Sequence, residues 1–309
     1  MRETRLAAVP FPFTSTSALT GPSVGTARPL LLDGAELDRV VEAISFQFSD
    51  LQSSQRCFWK AAWMLRRYGI IRLRGAAGPD QIHAINAEVS QLLEEIESTD
   101  HSRLESLAYL NLPERRVLKG YNQFRDADRA VINYRVKRPD GRSGSDAGMI
   151  DIFHPERLSE TLRQQIHGCL QESLIQRLLL ASSLNGLRVK CRNLYLNQGV
   201  QDTRSYHCDG RSLKFKSFVY LSDVQSLADG PYCFVPSSHR RRRLWWRNAR
   251  FNKSHGLGPF EFSQLNGQSA IPLLAKAGDM VLSSQRGAHC GHPQHPDAKR
   301  AVVVNMYQR

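Results

Sequence analysis

The chain lacks long apolar runs. None approaches the roughly eighteen residues that a membrane-spanning helix needs, so no span is expected. The first residues also lack the apolar core of a secretory signal, which argues against export. Cysteine is sparse and unpatterned: Cys57, Cys169, Cys191, Cys208, Cys233 and Cys290 form no CxxC pair and no dense framework. In a chain of 309 residues these are expected as reduced thiols, and the expected location is cytoplasmic. No internal repeat is present, which excludes repeat architectures.

Acidic residues are the other shortage. Asp and Glu number 29 against 42 Lys and Arg, a net charge of +13. Such a balance favours anionic partners, among them nucleic acid, acidic headgroups, nucleotide sugars and coenzyme A esters, without choosing between them. Before Asp33 the only acid is Glu3, and residues 1–28 are rich in Pro, Ser, Thr and Gly with no sustained period. A disordered leader is expected there, with a transit peptide as the alternative. Apolar residues make up 41% of the chain, enough to bury a sizeable core, and residues 29–309 are expected to form one domain.

The early half carries helical spacing. Leu37, Val40, Val41, Ile44 and Phe48 share one face, and Phe58 to Leu65 continues that character. Gly69 then stops a helix, and Ile70, Ile71 and Leu73 predict a short strand. Pro79 opens a helix whose stripe is Ile82, Ile85, Val89, Leu92, Leu93 and Ile96. A further stripe runs through Leu158, Leu162, Ile166, Leu170 and Leu174. The helical flank thus spans about 35–185, interrupted by an irregular, heavily cationic stretch from Leu112 to Ile152. After Leu187 the signals turn to strands, expected at Arg188–Asn197, Lys214–Leu221, Tyr232–Val235, Ile271–Leu274, Met280–Ser283 and Ala301–Tyr307. Many short strands separated by turns suggest a barrel or jelly roll over about 188–309.

The chemistry concentrates in that second half. In an extended backbone His207 and Asp209 point to one side while Cys208 points away. A third ligand must come from elsewhere: His289, His292 and His295 are the candidates. Two His and one carboxylate on one face of an ion leave its other positions open, the arrangement of non-haem iron(II) oxygenases. Arg300 follows His289 by eleven residues and begins an apolar strand. An Arg so placed can pair bidentately with the far carboxylate of 2-oxoglutarate.

These pieces, in this order, resemble the phytanoyl-CoA dioxygenase family of Fe(II)/2-oxoglutarate oxygenases. The matching segments are His207-Cys208-Asp209, the strand Phe218 to Val224, Asp229-Gly230-Pro231, Pro236-Ser237-Ser238-His239, Gly278-Asp279, His289-Cys290-Gly291 and Arg300. The likeness covers roughly residues 60–309. It implies an α+β, β-dominated fold: a double-stranded β-helix (jelly roll, cupin-like) core with flanking N-terminal helices. It implies Fe(II), 2-oxoglutarate and O2 as cofactors and hydroxylation as the usual outcome, and it selects His289 as the distal ligand. His239 then matches a structural position. Halogenases of related type lack the carboxylate, so Asp209 points to hydroxyl transfer. The chain departs from the pattern at Ser237, where the turn motif has Gly, and in the run Arg240 to Arg243 with Trp245 and Trp246.

Other site residues follow less directly. Asn193, Tyr195 and Asn197 alternate on the strand leading to the metal pair and are 2-oxoglutarate contacts or ordinary inward polar residues. Arg125, Arg129 and Arg135 in the cationic stretch, with Lys214 and Lys216, are expected to meet a small anionic substrate; a solvated loop and a solvated face are the alternatives. Two further functions stay open. A nucleic-acid demethylase of the same chemistry would suit the charge, and Arg300, Asn305 and Arg309 mimic its C-terminal run at too wide a spacing. A non-enzymatic basic binding module on a cupin scaffold would suit Arg240 to Arg243, although basic runs are usually solvated.

Overall fold

The computed structural model describes residues 27–98, 109–112, 115–118, 130–135 and 146–309. The expected leader lies outside the described residues up to position 26; Ala27 already belongs to the fold, its amide donating to the Ser263 carbonyl at 2.9 Å.

Seven helices are described: α1 (Gly34–Ala43), α2 (Phe48–Ser53), α3 (Gln55–Tyr68), α4 (Pro79–Glu97), α5 (Glu160–Leu170), α6 (Glu172–Ser183) and α7 (Arg242–Ser254). Local chemistry sets their ends. Ser54 caps α3 by accepting from the Cys57 amide at 3.3 Å, and Ser159 caps α5 from the Leu162 amide at 3.1 Å. Gly69 ends α3 in the left-handed region at φ 81°, and any side chain there would strike the His239 ring. The apolar stripe from Leu158 to Leu174 belongs to two helices, because Gln171 at φ 47° turns the chain between α5 and α6. The spacing over 35–48 likewise spans a helix and a strand. The basic run, expected to be solvated, leads into α7, where Arg286 lies over Trp245 and Arg211 over Trp246, with 5.0 and 5.8 Å to the ring centroids.

The strands are β1 (Leu30–Leu31), β2 (Ser45–Gln47), β3 (Ile70–Arg74), β4 (Tyr109–Leu112), β5 (Arg115–Leu118), β6 (Ala130–Tyr134), β7 (Met149–Phe153), β8 (Arg188–Gln198), β9 (Lys214–Tyr220), β10 (Tyr232–Phe234), β11 (Ser269–Leu273), β12 (Met280–Ser284), β13 (His289–Gly291) and β14 (Lys299–Gln308). Among the described residues they form a ten-stranded sheet, ordered β2-β3-β12-β9-β14-β8-β7-β6-β5-β4, and a four-stranded sheet, ordered β1-β11-β10-β13. This is the β-rich, jelly-roll architecture expected of the second half. The stretch from Leu112 to Ile152 differs from the expectation: where described, it supplies strands that extend the major sheet, not an irregular loop.

The two faces of the major sheet follow from the register. Residues directly opposite one another share a face, and one row runs Asn133, Asp151, Tyr195, Val302, Tyr220 across β6, β7, β8, β14 and β9. The neighbouring positions Ile132, Ile150, Ile152, Leu194, Val303 and Val219 point the other way, into a core shared with Leu162, Ile166 and Leu178 of the helices. Polar contacts on that side agree: Arg192 donates to Glu172 of α6 at 2.6 Å. The helices therefore cover the outer face, and the inner face turns to the minor sheet and the site. No described helix is long and apolar enough to cross a membrane.

Candidate active site

His207 and His289 are brought together by backbone pairing. Each amide donates to the other's carbonyl at 2.9 Å, so the two residues stand opposite each other as an antiparallel bridge, with ring centroids 4.5 Å apart. The same bond types orient the rings. Nδ1 of His207 contacts the Ser205 carbonyl at 2.8 Å and Nδ1 of His289 the Gly287 carbonyl at 2.9 Å. A carbonyl can only accept, so each Nδ1 carries the proton and each Nε2 presents a lone pair. Asp209, two residues along, is anchored by its amide to the Gln285 carbonyl at 2.9 Å. Its Oδ1 lies 3.7 Å from His207 Nε2 and 3.8 Å from His289 Nε2. The ligand atoms of the three residues all fall within 4.8 Å of one another.

The electrostatics prepare these groups for a cation. Burial, then the neighbouring imidazole of His289, holds His207 well below the usual histidine range, and burial brings His289 down to about 4. Burial alone would raise the Asp209 carboxyl, but Lys216 and the two imidazoles outweigh it and hold the group far below the usual carboxylate range. At neutral pH the cluster is two neutral imidazoles and one carboxylate, the protonation state that metal binding requires.

The structure separates the rival histidines from this cluster. Nδ1 of His292 is turned to the Pro293 carbonyl, and His295 is exposed beside Asp297. His239 packs on Gly69 with Nε2 at 3.2 Å from the Arg66 carbonyl, a structural placement. The preceding Ser237 sits at φ 65°, in the left-handed region where a glycine is comfortable, which accounts for the Gly of the turn motif and marks Ser237 as strained.

Arg300 lies on the inner face, opposite Asn197. It is half-buried, with its Nε fully enclosed; one guanidinium nitrogen donates to the Gly230 carbonyl, and among the described residues Nε has no hydrogen-bond partner and no carboxylate forms an ion pair with the group. A guanidinium drawn partly out of water without a carboxylate, its Nε unmet, is costly unless a ligand supplies one, so the residues present fit 2-oxoglutarate as they fit iron. Asn197 stands beside it, with a buried Oδ1 that lacks a partner. Tyr195 shares the inner face but opposes Val302, and Asn193 donates instead to Asp151 at 2.7 Å.

The expected substrate cations fare differently. Arg125 and Arg129 lie outside the described residues. Arg135 pairs with Asp146 at 2.5 Å. Lys214 and Lys216 are not on a solvated face: Lys214 Nζ donates to the Asp209 carbonyl at 3.0 Å and Lys216 Nζ to Asp209 Oδ2 at 2.8 Å. Sequence reasoning passed over Asn133 and Asp151 altogether. A signal was present: each is a lone polar residue at an alternate position of an otherwise apolar strand.

Fold and site together define a non-haem iron oxygenase dependent on 2-oxoglutarate. The chain belongs to the phytanoyl-CoA dioxygenase family, whose model matches residues 65–302. Among solved structures it is similar to SnoN, an epimerase of nogalamycin biosynthesis determined with Fe3+, alpha ketoglutarate and nogalamycin RO: 16% identity over 82% of this chain and 84% of that one, with a TM-score of 0.51. It is also similar to SnoK, an alpha ketoglutarate-dependent carbocyclase from the same biosynthesis, at 16% identity over 80% and 82% of the two chains and a TM-score of 0.50. At these identities the likeness speaks to the fold. No curated protein matches the chain. The family settles the choice between an enzyme and a non-enzymatic basic module: the protein is an enzyme.

Proposed function

We propose that this enzyme hydroxylates an unactivated carbon of a small anionic metabolite, consuming O2 and 2-oxoglutarate and releasing succinate and CO2. The observation that carries the reading is a face of three metal donors beside a half-buried Arg300 that has no carboxylate partner among the described residues. Iron(II), when bound, supplies the redox chemistry that couples decarboxylation of 2-oxoglutarate to oxidation of a substrate C–H bond. His207 and His289 would hold it through Nε2 and Asp209 through Oδ1. Lys216, on Oδ2, keeps that carboxylate from rotating. Arg300 takes the far carboxylate of 2-oxoglutarate as a bidentate pair, with Asn197 alongside. A carboxylate at Asp209 leaves no ligand position for a halide at that point, which favours hydroxyl transfer.

The anionic character of the substrate is supported by the net charge of +13. Of the cations put forward for it, Arg135 and Lys216 are matched by Asp146 and Asp209, and Lys214 Nζ donates to the Asp209 carbonyl; Arg125 and Arg129 are the remaining candidates for the negative group. The demethylase reading gains nothing from Arg300, Asn305 and Arg309. Asn305 faces Glu172 on the outer side and Arg309 meets Asn185, so the three do not converge. Six free cysteines support a cytoplasmic setting.

The test is iron-dependent succinate formation across a panel of anionic metabolites, run under labelled O2. Incorporation of one labelled oxygen into the organic product is expected. A coupled product without label would replace hydroxylation by desaturation or ring closure, and absence of iron-dependent succinate would remove the oxygenase reading.

A further inference from the structure

A carboxylate and an amide stand side by side on the inner face of the major sheet, and neither belongs to the metal triad or to Arg300. Asn133 on β6 is directly opposite Asp151 on β7. Their exposures are 0% and 1%. Asp151 Oδ1 accepts from Asn193 Nδ2 at 2.7 Å, and Asn193 Oδ1 accepts from the Cys191 thiol at 3.0 Å. Among the described residues neither Nδ2 nor Oδ1 of Asn133 meets a hydrogen-bond partner. Buried polar atoms are nearly always paired, and an amide with both ends unmet is a standing cost to the fold. The strands themselves do not require it: Val131 and Phe153, the next pair on the same face, are buried and apolar. The row that holds the pair continues through Tyr195 to Val302, beside Arg300, and Lys216 of the metal site lies within electrostatic reach of Asp151.

The donor and acceptor inventory narrows the missing partner to a group that both donates and accepts, a water or a ligand hydroxyl that displaces it. Asn133 Nδ2 needs an acceptor; Asn133 Oδ1 and the Asp151 carboxylate need donors. A carboxylate or phosphate has no proton to give and would face Asp151 as a like charge. An ammonium has no lone pair for Nδ2. A hydroxyl does both, and two adjacent hydroxyls would serve both residues.

We propose that Asn133, Asp151 and Asn193 form a substrate subsite that binds adjacent hydroxyl groups of a polyhydroxylated substrate. This rests on the oxygenase reading and refines it: the substrate carries hydroxyls at one end in addition to its negative group.

Thermal unfolding of the full chain tests it without iron or turnover. Asn133→Leu removes the unmet amide, and without ligand its Tm should rise by about 2–4 °C, the shift a modest stabilisation gives a domain of this size. Glucose 1-phosphate, which joins hydroxyls to an anion, should raise the Tm of the wild type well beyond inorganic phosphate at equal concentration. Its affinity should fall at least ten-fold in Asn133→Leu and in Asp151→Asn. Should Asn133→Leu not fold, the shape-conserving Asp151→Asn carries the binding comparison alone. An unchanged or lowered Tm for folded Asn133→Leu would show that the amide is structural. A wild type that ignores glucose 1-phosphate, responds equally to phosphate, or binds it no better than the variants would overturn the hydroxyl subsite. The oxygenase reading fails on a different result, the absence of iron-dependent succinate from the wild type.

Discussion

The two faces of the major sheet are made by the same strands and obey opposite rules. On the outer face Ile132, Ile150, Ile152 and Leu194 are apolar and packed against helices, so each contributes stability through area removed from water. On the inner face Asn133, Asp151 and Asn197 are buried and Arg300 is half-buried, with polar atoms unmet or charges unmatched, so each costs stability until a ligand arrives. The outer face has buried polar atoms without partners too, at Ser217 and Asn305. Asp151 and Arg300, ionisable groups without an ion-pair partner among the described residues, lie on the inner one, a division expected of a binding site held on a rigid scaffold.

Breaking the inner face at the metal donors should have the largest effect. Asp209→Ala and His289→Ala should each lose 2-oxoglutarate turnover by orders of magnitude and keep a cooperative unfolding transition, while His292→Ala and His295→Ala retain most activity. If His292→Ala is dead and His289→Ala active, the distal ligand has been misassigned. The outer face should respond in the opposite sense. Ile152→Ala deletes a fully buried side chain and should cost about 2–5 kcal/mol in urea unfolding, with iron and 2-oxoglutarate affinities near wild type in the folded fraction.

Asp151 gives the comparison a pH signature. Burial, only partly offset by Asn193, pushes its carboxyl up to about 6. The native state then binds more protons than the unfolded chain between the ordinary aspartate range and that value. Stability falls as pH rises through this window and stays lower above it, by roughly 3 kcal/mol. Asp151→Asn should flatten that decline; an unchanged pH profile would mean the group is better solvated than its surroundings suggest. Arg300→Ala should weaken 2-oxoglutarate about ten- to a hundred-fold, the loss of a charge-assisted pair of roughly 1.5–3 kcal/mol, with iron affinity little altered. Unchanged 2-oxoglutarate affinity would place the co-substrate elsewhere. The smallest effect belongs to Arg135→Glu. Its charge already meets Asp146, so substrate affinity should fall only a few-fold, more at low salt than at high.

The strands from β8 to β14 were largely legible because alternation and turn residues marked them, although β13 is too short to announce itself. The strands β6 and β7 were not. Their alternating polar residues, Asn133 and Asp151, sit on a buried inner face, so the period-two signal of a half-exposed strand was absent and a cationic neighbourhood suggested a loop. The helical period over 35–48 was real but crossed a boundary, because Ser45 to Gln47 pair with β3, a long-range contact that no local spacing records.

The sequence by itself determined the donor types and their local order: a His and an Asp two apart on extended chain, a later His, and an Arg eleven residues beyond it. Those are properties of neighbours along the chain. The resemblance had already selected His289 among the later histidines; the tertiary structure shows how it converges, through backbone pairing with His207 across distant segments. It alone turned Lys216 from a surface charge into the partner of Asp209, and it alone showed Asn133 without a partner. Burial and the matching of donors to acceptors are set by everything that surrounds a residue, and most of what surrounds these comes from elsewhere in the chain.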